Sequence, residues 1–332
     1  MSHIKYIIDA FWIPQLLLLI PVSWVLHFVL DPSKASSSLA IFLTAFLAIM
    51  PLAGLLSYGT EEIAMRVGQT LGGLLNATLG NAVELIVAII ALFQCELTIT
   101  QTSLVGSVLS NLLLVLGMCF FVGGLRYKEQ EFKQTAAQLN TGMLAMAVIS
   151  VLVPASFHAT LGNDIPDGLE RPDLLKMSRG SSIILLLIYV GYLWFQLRSH
   201  AFLYVDDDPG EEQPTLHIWV AGGTLVLSTV LVGVTSEWLV DSLDGFSTHY
   251  GVNKTFIGLV LLPIVSNAAE HVTAVLAARR NAVDLAMGVA VGSSIQIALF
   301  VLPLLVIIGW IADKPMSLLF DPFISILMFL AV

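Results

Sequence analysis

Two carboxylates stand in stretches that are otherwise apolar. Glu84 lies in GNAVELIVAIIAL (80–92) and Glu270 in SNAAEHVTAVLAA (266–278). An acidic side chain at the centre of a membrane-buried helix costs at least about 2.5–3.5 kcal/mol, so a residue of this type in this setting normally has a task. Two such carboxylates brought together supply oxygen ligands and charge balance for a divalent cation of the Ca²⁺ type, which takes roughly 6–8 oxygens. Without a metal, burial and like-charge repulsion favour holding a proton. Metal and protons would then compete for one site, which is the physical basis of exchange.

The neighbours of the two acids extend this reading. Asn81 and Asn267 each stand three residues before the acid, on the same helical face, where an amide can orient a carboxylate or a bound water. Gly72, Gly73 and Gly80 in the first stretch, and Gly258 and Pro263 in the second, would loosen or break the helices. Gly80 and Ser266 open the two motifs and are expected to form the helix-break backbone, where freed carbonyls become cation ligands. Taken singly, each glycine would serve close helix packing. His271 follows Glu270 where the first stretch has Leu85, and an imidazole there could carry protons or tune its neighbour. Further along, Ser107, Ser110 and Asn111, then Ser293, Ser294 and Gln296, put polar stripes into apolar runs. Among these Ser107, Ser293 and Gln296 are the candidates for ion-site support.

The elements that must hold these residues follow from composition. Of 332 residues 57% are hydrophobic and 11% charged, with a net charge of −10. A soluble domain carries roughly 25% charged residues, so a soluble enzyme is excluded. The negative balance argues against nucleic acid, whose phosphates need basic patches, and favours a cationic partner. Neither HExxH nor another catalytic motif is present, so the chain is not expected to be an enzyme. Cys95 and Cys119 form no CxxC pair and read as packing residues.

Apolar runs of bilayer length place ten spans near 11–30, 38–57, 67–94, 98–124, 136–155, 180–198, 216–240, 254–278, 285–310 and 319–332. Two connections differ from the short loops between spans. Residues 156–179 carry several Asp and Pro, and 205–214 reads VDDDPGEEQP. With the N-terminus cytoplasmic, inside loops hold eight Lys and Arg and outside loops six, so the positive-inside rule gives that orientation. The acidic run Asp206, Asp207, Asp208, Glu211 and Glu212 then lies in the cytoplasm. It lacks the EF-hand ligand spacing and reads as a solvated linker with a regulatory Ca²⁺-sensing role as the alternative. Glu61, Glu62, Glu237 and Asp241 fall near span ends, as entrance-lining or solvated groups.

The second motif repeats the first 186 residues later. At that displacement GSVLSNLLLVLG (106–117) also lies over GSSIQIALFVLP (292–303) without a gap, and Asn, Glu, Gly and Ser pairs coincide. Chance alignment of apolar residues does not match polar ones. The two glutamates fall in the third and eighth spans, five crossings apart, so the copies run in opposite directions through the bilayer, a transporter architecture. The expected fold is an all-α polytopic membrane protein of one N-terminal helix and two inverted five-helix repeats. Its parts would be 1–36 with the first helix, 37–204 as the first repeat, 205–214 as the acidic linker and 215–332 as the second repeat. By analogy with the first copy the second would run to roughly residue 384, so its final helix is expected to be missing.

GNAVEL (80–85) and SNAAEH (266–271), each followed by its Gly-Ser segment, resemble the paired α-repeats of the cation/proton exchanger family of the calcium/cation antiporter superfamily. The acidic stretch resembles that family's linker, and the likeness covers nearly the whole chain from about residue 37. The resemblance implies a vacuolar-type Ca²⁺/H⁺ antiporter, a secondary transporter with Ca²⁺ and H⁺ as transported ions, no cofactor, and the bilayer as its surroundings. It places the exchange role on Glu84 and Glu270, with support from Asn81, Asn267, Ser107, Ser293 and Gln296. The organelle implied is the vacuole of a fungus or plant. The family's second motif begins with Gly where this chain has Ser266. A Na⁺-coupled exchanger of the same fold and a carboxylate-lined cation channel are the alternatives.

Overall fold

The structure, a computed structural model, describes residues 16–31, 34–161, 171–203 and 214–332. The linker acids Asp206, Asp207, Asp208, Glu211 and Glu212 lie outside the described residues, as do residues 162–170 of the Asp- and Pro-rich connection. All regular elements among the described residues are helical. In chain order they are α1 (Leu19–Val29), α2 (Ala35–Val67), α3 (Gln69–Leu79), α4 (Ala82–Phe93) and α5 (Leu97–Gly124). Then come α6 (Gln134–Leu161), α7 (Arg171–Trp194), α8 (Ile218–Tyr250), α9 (Lys254–Ser266), α10 (Ala268–Arg279), α11 (Val283–Ile311) and α12 (Pro322–Ala331).

Six of these, α2, α5, α6, α7, α8 and α11, are long and apolar enough to cross a membrane. The bent pairs α3/α4 and α9/α10 raise the number to as many as eight, and α1 and α12 are apolar but shorter. The chain is thus an all-helical membrane protein. Large side chains such as Leu187 and Val190 on α7, and Trp219, Val226 and Val230 on α8, are exposed. Lipid is the solvent that tolerates them.

Helix ends differ from the limits of the apolar runs. The expected second span closes at 57 and the seventh at 240, yet α2 continues to Val67 and α8 to Tyr250. Hydropathy reports where lipid ends; the helix ends where the backbone turns. Gly68 (φ +85°) and Gly251 (φ +66°) make those turns, in a region that costs glycine little. Two prolines follow π-helical stretches, Pro263 after Ile257–Leu261 in α9 and Pro303 after Ile297–Val301 in α11. Proline removes an N–H from the ladder, and the wider turn absorbs the mismatch.

By packing, the chain divides into two compact units, residues 1–106 with 206–273 and residues 107–205 with 274–332, and the divisions fall within α5 and α10. Each unit draws on both halves of the sequence. In the first, α2 and α8 run side by side around Phe42, Ile49, Leu52 and Leu56 of α2 and Val232, Leu239 and Leu243 of α8, all buried. The rings of Phe42 and Phe246 stack at 4.2 Å. Helix α1 docks through Trp24, edge-on to Trp238 at 5.1 Å and donating to Thr235 Oγ1 at 3.3 Å. Val83, Val87 and Ala91 bring α4 into the same core.

The second unit is built around α11. Small residues, Ala274, Ala277, Ala278, Ala286 and Ala290, pack with Val115 and Cys119, the close approach expected where lipid gives no hydrophobic drive. Elsewhere in this unit Tyr189 stacks on Phe300 at 5.3 Å, and the Tyr192 hydroxyl donates to Asn140 at 3.1 Å.

Candidate functional site

The two glutamates occupy the same place in two broken helices. Helices α3 and α4 meet at a bend of 40°, and α9 and α10 at a bend of 60°. The non-helical torsions belong to the asparagines, Asn81 (φ −103°, ψ 32°) and Asn267 (φ −88°, ψ 9°). Gly80 is itself α-helical (φ −55°, ψ −43°), and Ser266 is the last residue of α9. The first break thus spans Gly80 and Asn81, with the change of torsion at Asn81, and the second falls at Asn267, directly after Ser266. Asparagine tolerates such torsions, which populate the sparse bridge region common at active sites.

Each asparagine then opens the next helix. The carbonyl of Asn81 accepts from Leu85 N at 3.0 Å, and that of Asn267 from His271 N at 2.9 Å. The acids fall in the first turn, Glu84 in α4 and Glu270 in α10. Helix N-termini present unpaired N–H groups and partial positive charge, so a carboxylate there is partly compensated by backbone. Glu84 shows this compensation: its carboxylate accepts from its own backbone N–H and from the Ser266 side chain. Both motifs belong to the first unit, and this hydroxyl, four residues before Glu270, joins the second to the acid of the first.

Burial differs around the pair. Glu84 is 6% exposed and Asn81 1%; Glu270 is half-buried and His271 buried. Asn267 is fully buried, and neither its Oδ1 nor its Nδ2 has a hydrogen-bond partner among the described residues. An unsatisfied buried amide costs roughly 1–3 kcal/mol and calls for an explanation such as an ion or water at that point. The remaining candidates lie in the second unit. Ser107 and Ser293 are buried, and Asn111 Nδ2 donates to Ser293 Oγ at 3.0 Å. Gln296 is 6% exposed with its Nε2 unbonded among the described residues.

Close backbone contacts hold the broken helices. A Cβ on Gly72 would strike the carbonyl of Ala64, so α3 lies directly on the end of α2. On α5, a Cβ at Gly106 would meet the Leu259 carbonyl and come within 2.7 Å of the Pro263 ring. Leu259 is the residue whose carbonyl loses its usual i+4 donor to Pro263. Gly258 on α9 faces Thr102 of α5 equally closely.

Sequence reasoning missed one group of consequence. Glu62, expected as an entrance-lining or solvated group, is 0% exposed. Its carboxylate accepts from Thr215 N at 2.9 Å, Leu216 N at 3.0 Å, the Thr215 hydroxyl and Arg66 at 3.0 Å. The Glu62/Arg66 spacing of four was the available signal; the Thr215 partner, distant in sequence, left none. Glu61, its neighbour, lines an open cleft of about 450 Å³ with Ala64, Met65, Gly68, Gly72, Gly73 and Asn76. Among the described residues no three His, Cys, Asp or Glu side chains gather as a metal-binding group.

Broken helices with acids at their N-terminal turns, in an all-helical membrane protein, define a membrane carrier of cations. The chain belongs to the sodium/calcium exchanger protein family, whose model matches residues 37–198 and 220–332. It is 43% identical to a vacuolar calcium ion transporter of Cryptococcus neoformans var. grubii, covering 100% of this chain and 70% of that protein. It is 42% identical to a Ca²⁺/H⁺ antiporter of Aphanothece halophytica, covering 93% and 84%. The solved structure of native YfkE superposes with a TM-score of 0.79 at 36% identity, over 95% of this chain and 88% of that one.

Proposed function

We propose that the protein is a secondary antiporter that moves Ca²⁺ across the vacuolar membrane in exchange for H⁺. The names of its relatives, a vacuolar calcium ion transporter and a Ca²⁺/H⁺ antiporter, support the ion pair and the organelle. The observation that carries the reading is the doubled motif, an acid three residues after a helix-breaking asparagine, twice in one compact unit, with Ser266 of one copy bonded to Glu84 of the other.

In this reading Glu84 and Glu270 hold either one Ca²⁺ or protons. Asn81 and Asn267 add amide oxygens, and Ser107, Ser293 and Gln296 provide polar support. Cytosolic Ca²⁺ displaces protons from the carboxylates; a rocking of one helix group then opens the site to the other side. Protons flowing down their gradient reload the carboxylates and release the metal. The layout we propose is ten spans, with a first helix before two inverted repeats and the N-terminus in the cytoplasm. The parts 1–36, 37–204, 205–214 and 215–332 then keep their sequence-based roles, with the acidic run as a solvated cytoplasmic linker and Ca²⁺ sensing as its alternative role.

The test is uptake of ⁴⁵Ca²⁺ into proteoliposomes with pH and Na⁺ gradients imposed separately. Uptake should follow the pH gradient and ignore Na⁺. Uptake driven by Na⁺ alone would move the assignment to a sodium-coupled exchanger, and a current independent of both gradients would make the protein a channel.

A further inference from the structure

Four residues before each acid, the repeats differ in one side chain that touches the site: Gly80 in the first copy has none, and Ser266 in the second carries a hydroxyl. That hydroxyl bonds the Glu84 carboxylate. Ser266 ends α9, and the backbone turns only at Asn267, so the residue is not needed to make the break. It follows the buried Pro263 and Val265 in the same helix, whose end is closed by the bond from Asn267 N to Pro263 O at 3.1 Å. The hydroxyl therefore projects from a fixed helix end. Glu84 is fixed on its own side by α4, whose first turn it occupies and whose N–H it accepts.

We propose that Ser266 is a positioning residue for Glu84: by donating to one carboxylate oxygen it fixes the rotamer that presents the other to the cation. The proposal rests on the exchange reading above and deepens it, because it makes the two acids unequal. Glu84 accepts from a hydroxyl of the opposite motif, at a position where the first copy has Gly80 and no side chain. A carboxylate fixed before the ion arrives loses less freedom on binding. Hydrogen bonds to charged groups are among the stronger single contacts in proteins. The bond is local to α9 and Glu84, so its loss acts on ion capture rather than on the rocking step.

The experiment compares Ser266→Ala, Ser266→Gly and Ser266→Thr in proteoliposomes, reading the Ca²⁺ concentration dependence of pH-driven uptake. Ser266→Ala keeps the backbone and loses the hydroxyl, Ser266→Gly reproduces the first copy, and Ser266→Thr keeps the donor. The expected result is a KM for Ca²⁺ raised about fivefold in Ser266→Ala and Ser266→Gly, with maximal rate within about twofold, and a KM restored in Ser266→Thr. An unchanged KM in Ser266→Ala, or a fall in maximal rate shared by all three variants, overturns the proposal. Glu84→Gln is measured beside them. If it transports, the exchange reading fails and this proposal with it; if it is inactive while Ser266→Ala keeps the original KM, only this proposal fails.

Discussion

The break between α3 and α4 and the break between α9 and α10 carry the same Asn-x-x-Glu signature but are built differently. The first bends by 40° over Gly80 and Asn81; the second bends by 60° at Asn267 alone, after a π-helical stretch and a proline. Glu84 is buried with a partner from the other motif, while Glu270 is half-buried. A duplicated sequence therefore fixes where the acid stands relative to the bend and leaves its surroundings free to diverge. If the acids form one site, however, neither environment makes its acid dispensable.

The largest expected effect follows from that condition. Glu84→Gln and Glu270→Gln should each reduce pH-driven ⁴⁵Ca²⁺ uptake by more than about 100-fold, because each removes a charge that balances the divalent cation and a proton carrier together. An uptake above one tenth of the original in either variant would break the equivalence and leave one acid as a structural cap.

The repeat-related glycines Gly106 and Gly292 give the next largest contrast. A Cβ at Gly106 strikes the Leu259 carbonyl and the Pro263 ring, whereas nothing stands within 4 Å of a Cβ at Gly292. Gly106→Ala should cost about 1–3 kcal/mol of stability through overpacking, seen as a lower apparent melting temperature and less monodisperse protein in detergent. Gly292→Ala should be neutral or stabilise by up to about 1 kcal/mol through helix propensity. Equal losses in both would mean that the two helices meet their surroundings alike.

These contrasts mark how far the sequence could be read. Low charge and bilayer-length apolar runs were enough for an all-helical membrane protein, and Asn81 and Asn267 lie beside the residues expected to break the helices. The breaks were less legible: among the described residues six helices qualify as spans by themselves and two bent pairs raise this to as many as eight, because a break near an acid halves the apolar run. Gly106 and Gly292 look alike in sequence, and only what stands opposite Gly106, the Leu259 carbonyl and the Pro263 ring, separates them. Ser266 reads as a substitution of glycine until the position of Glu84 is known. Glu62 looks like a solvated helix end because its Thr215 partner lies beyond the acidic run.

Asn267 tests whether the second break serves the ion or the fold. A buried amide that supports the fold is bonded, and removing it lowers stability; this one is fully buried with neither amide atom bonded among the described residues. Asn267→Ala should leave the melting temperature unchanged or raised, while the KM for Ca²⁺ rises about tenfold. A lower melting temperature with unchanged KM would assign the residue to the fold.

The smallest contrast concerns the polar anchors of the supporting helices. Near the first break, Glu62 fastens the end of α2, on which α3 rests at Gly72, to residues 215–216 before α8. At the start of α9, ahead of the second break, Lys254 pairs with Glu96 at 2.9 Å and with Asp244. The chemistry is similar but the solvent is not: the Glu62 side chain is 0% exposed, against 30% for Lys254 and 68% for Asp244. Glu62→Gln turns an amide N–H toward groups that are themselves donors and should cost about 1–3 kcal/mol. Lys254→Met should cost less than about 1 kcal/mol, since exposed pairs gain little and salt screens them. Thermal melts of both variants at low and high salt separate the two anchors. The Glu62 deficit should persist in salt and the Lys254 deficit should vanish; a Lys254 deficit that survives high salt would mean that its ion pairs are shielded from solvent as Glu62 is.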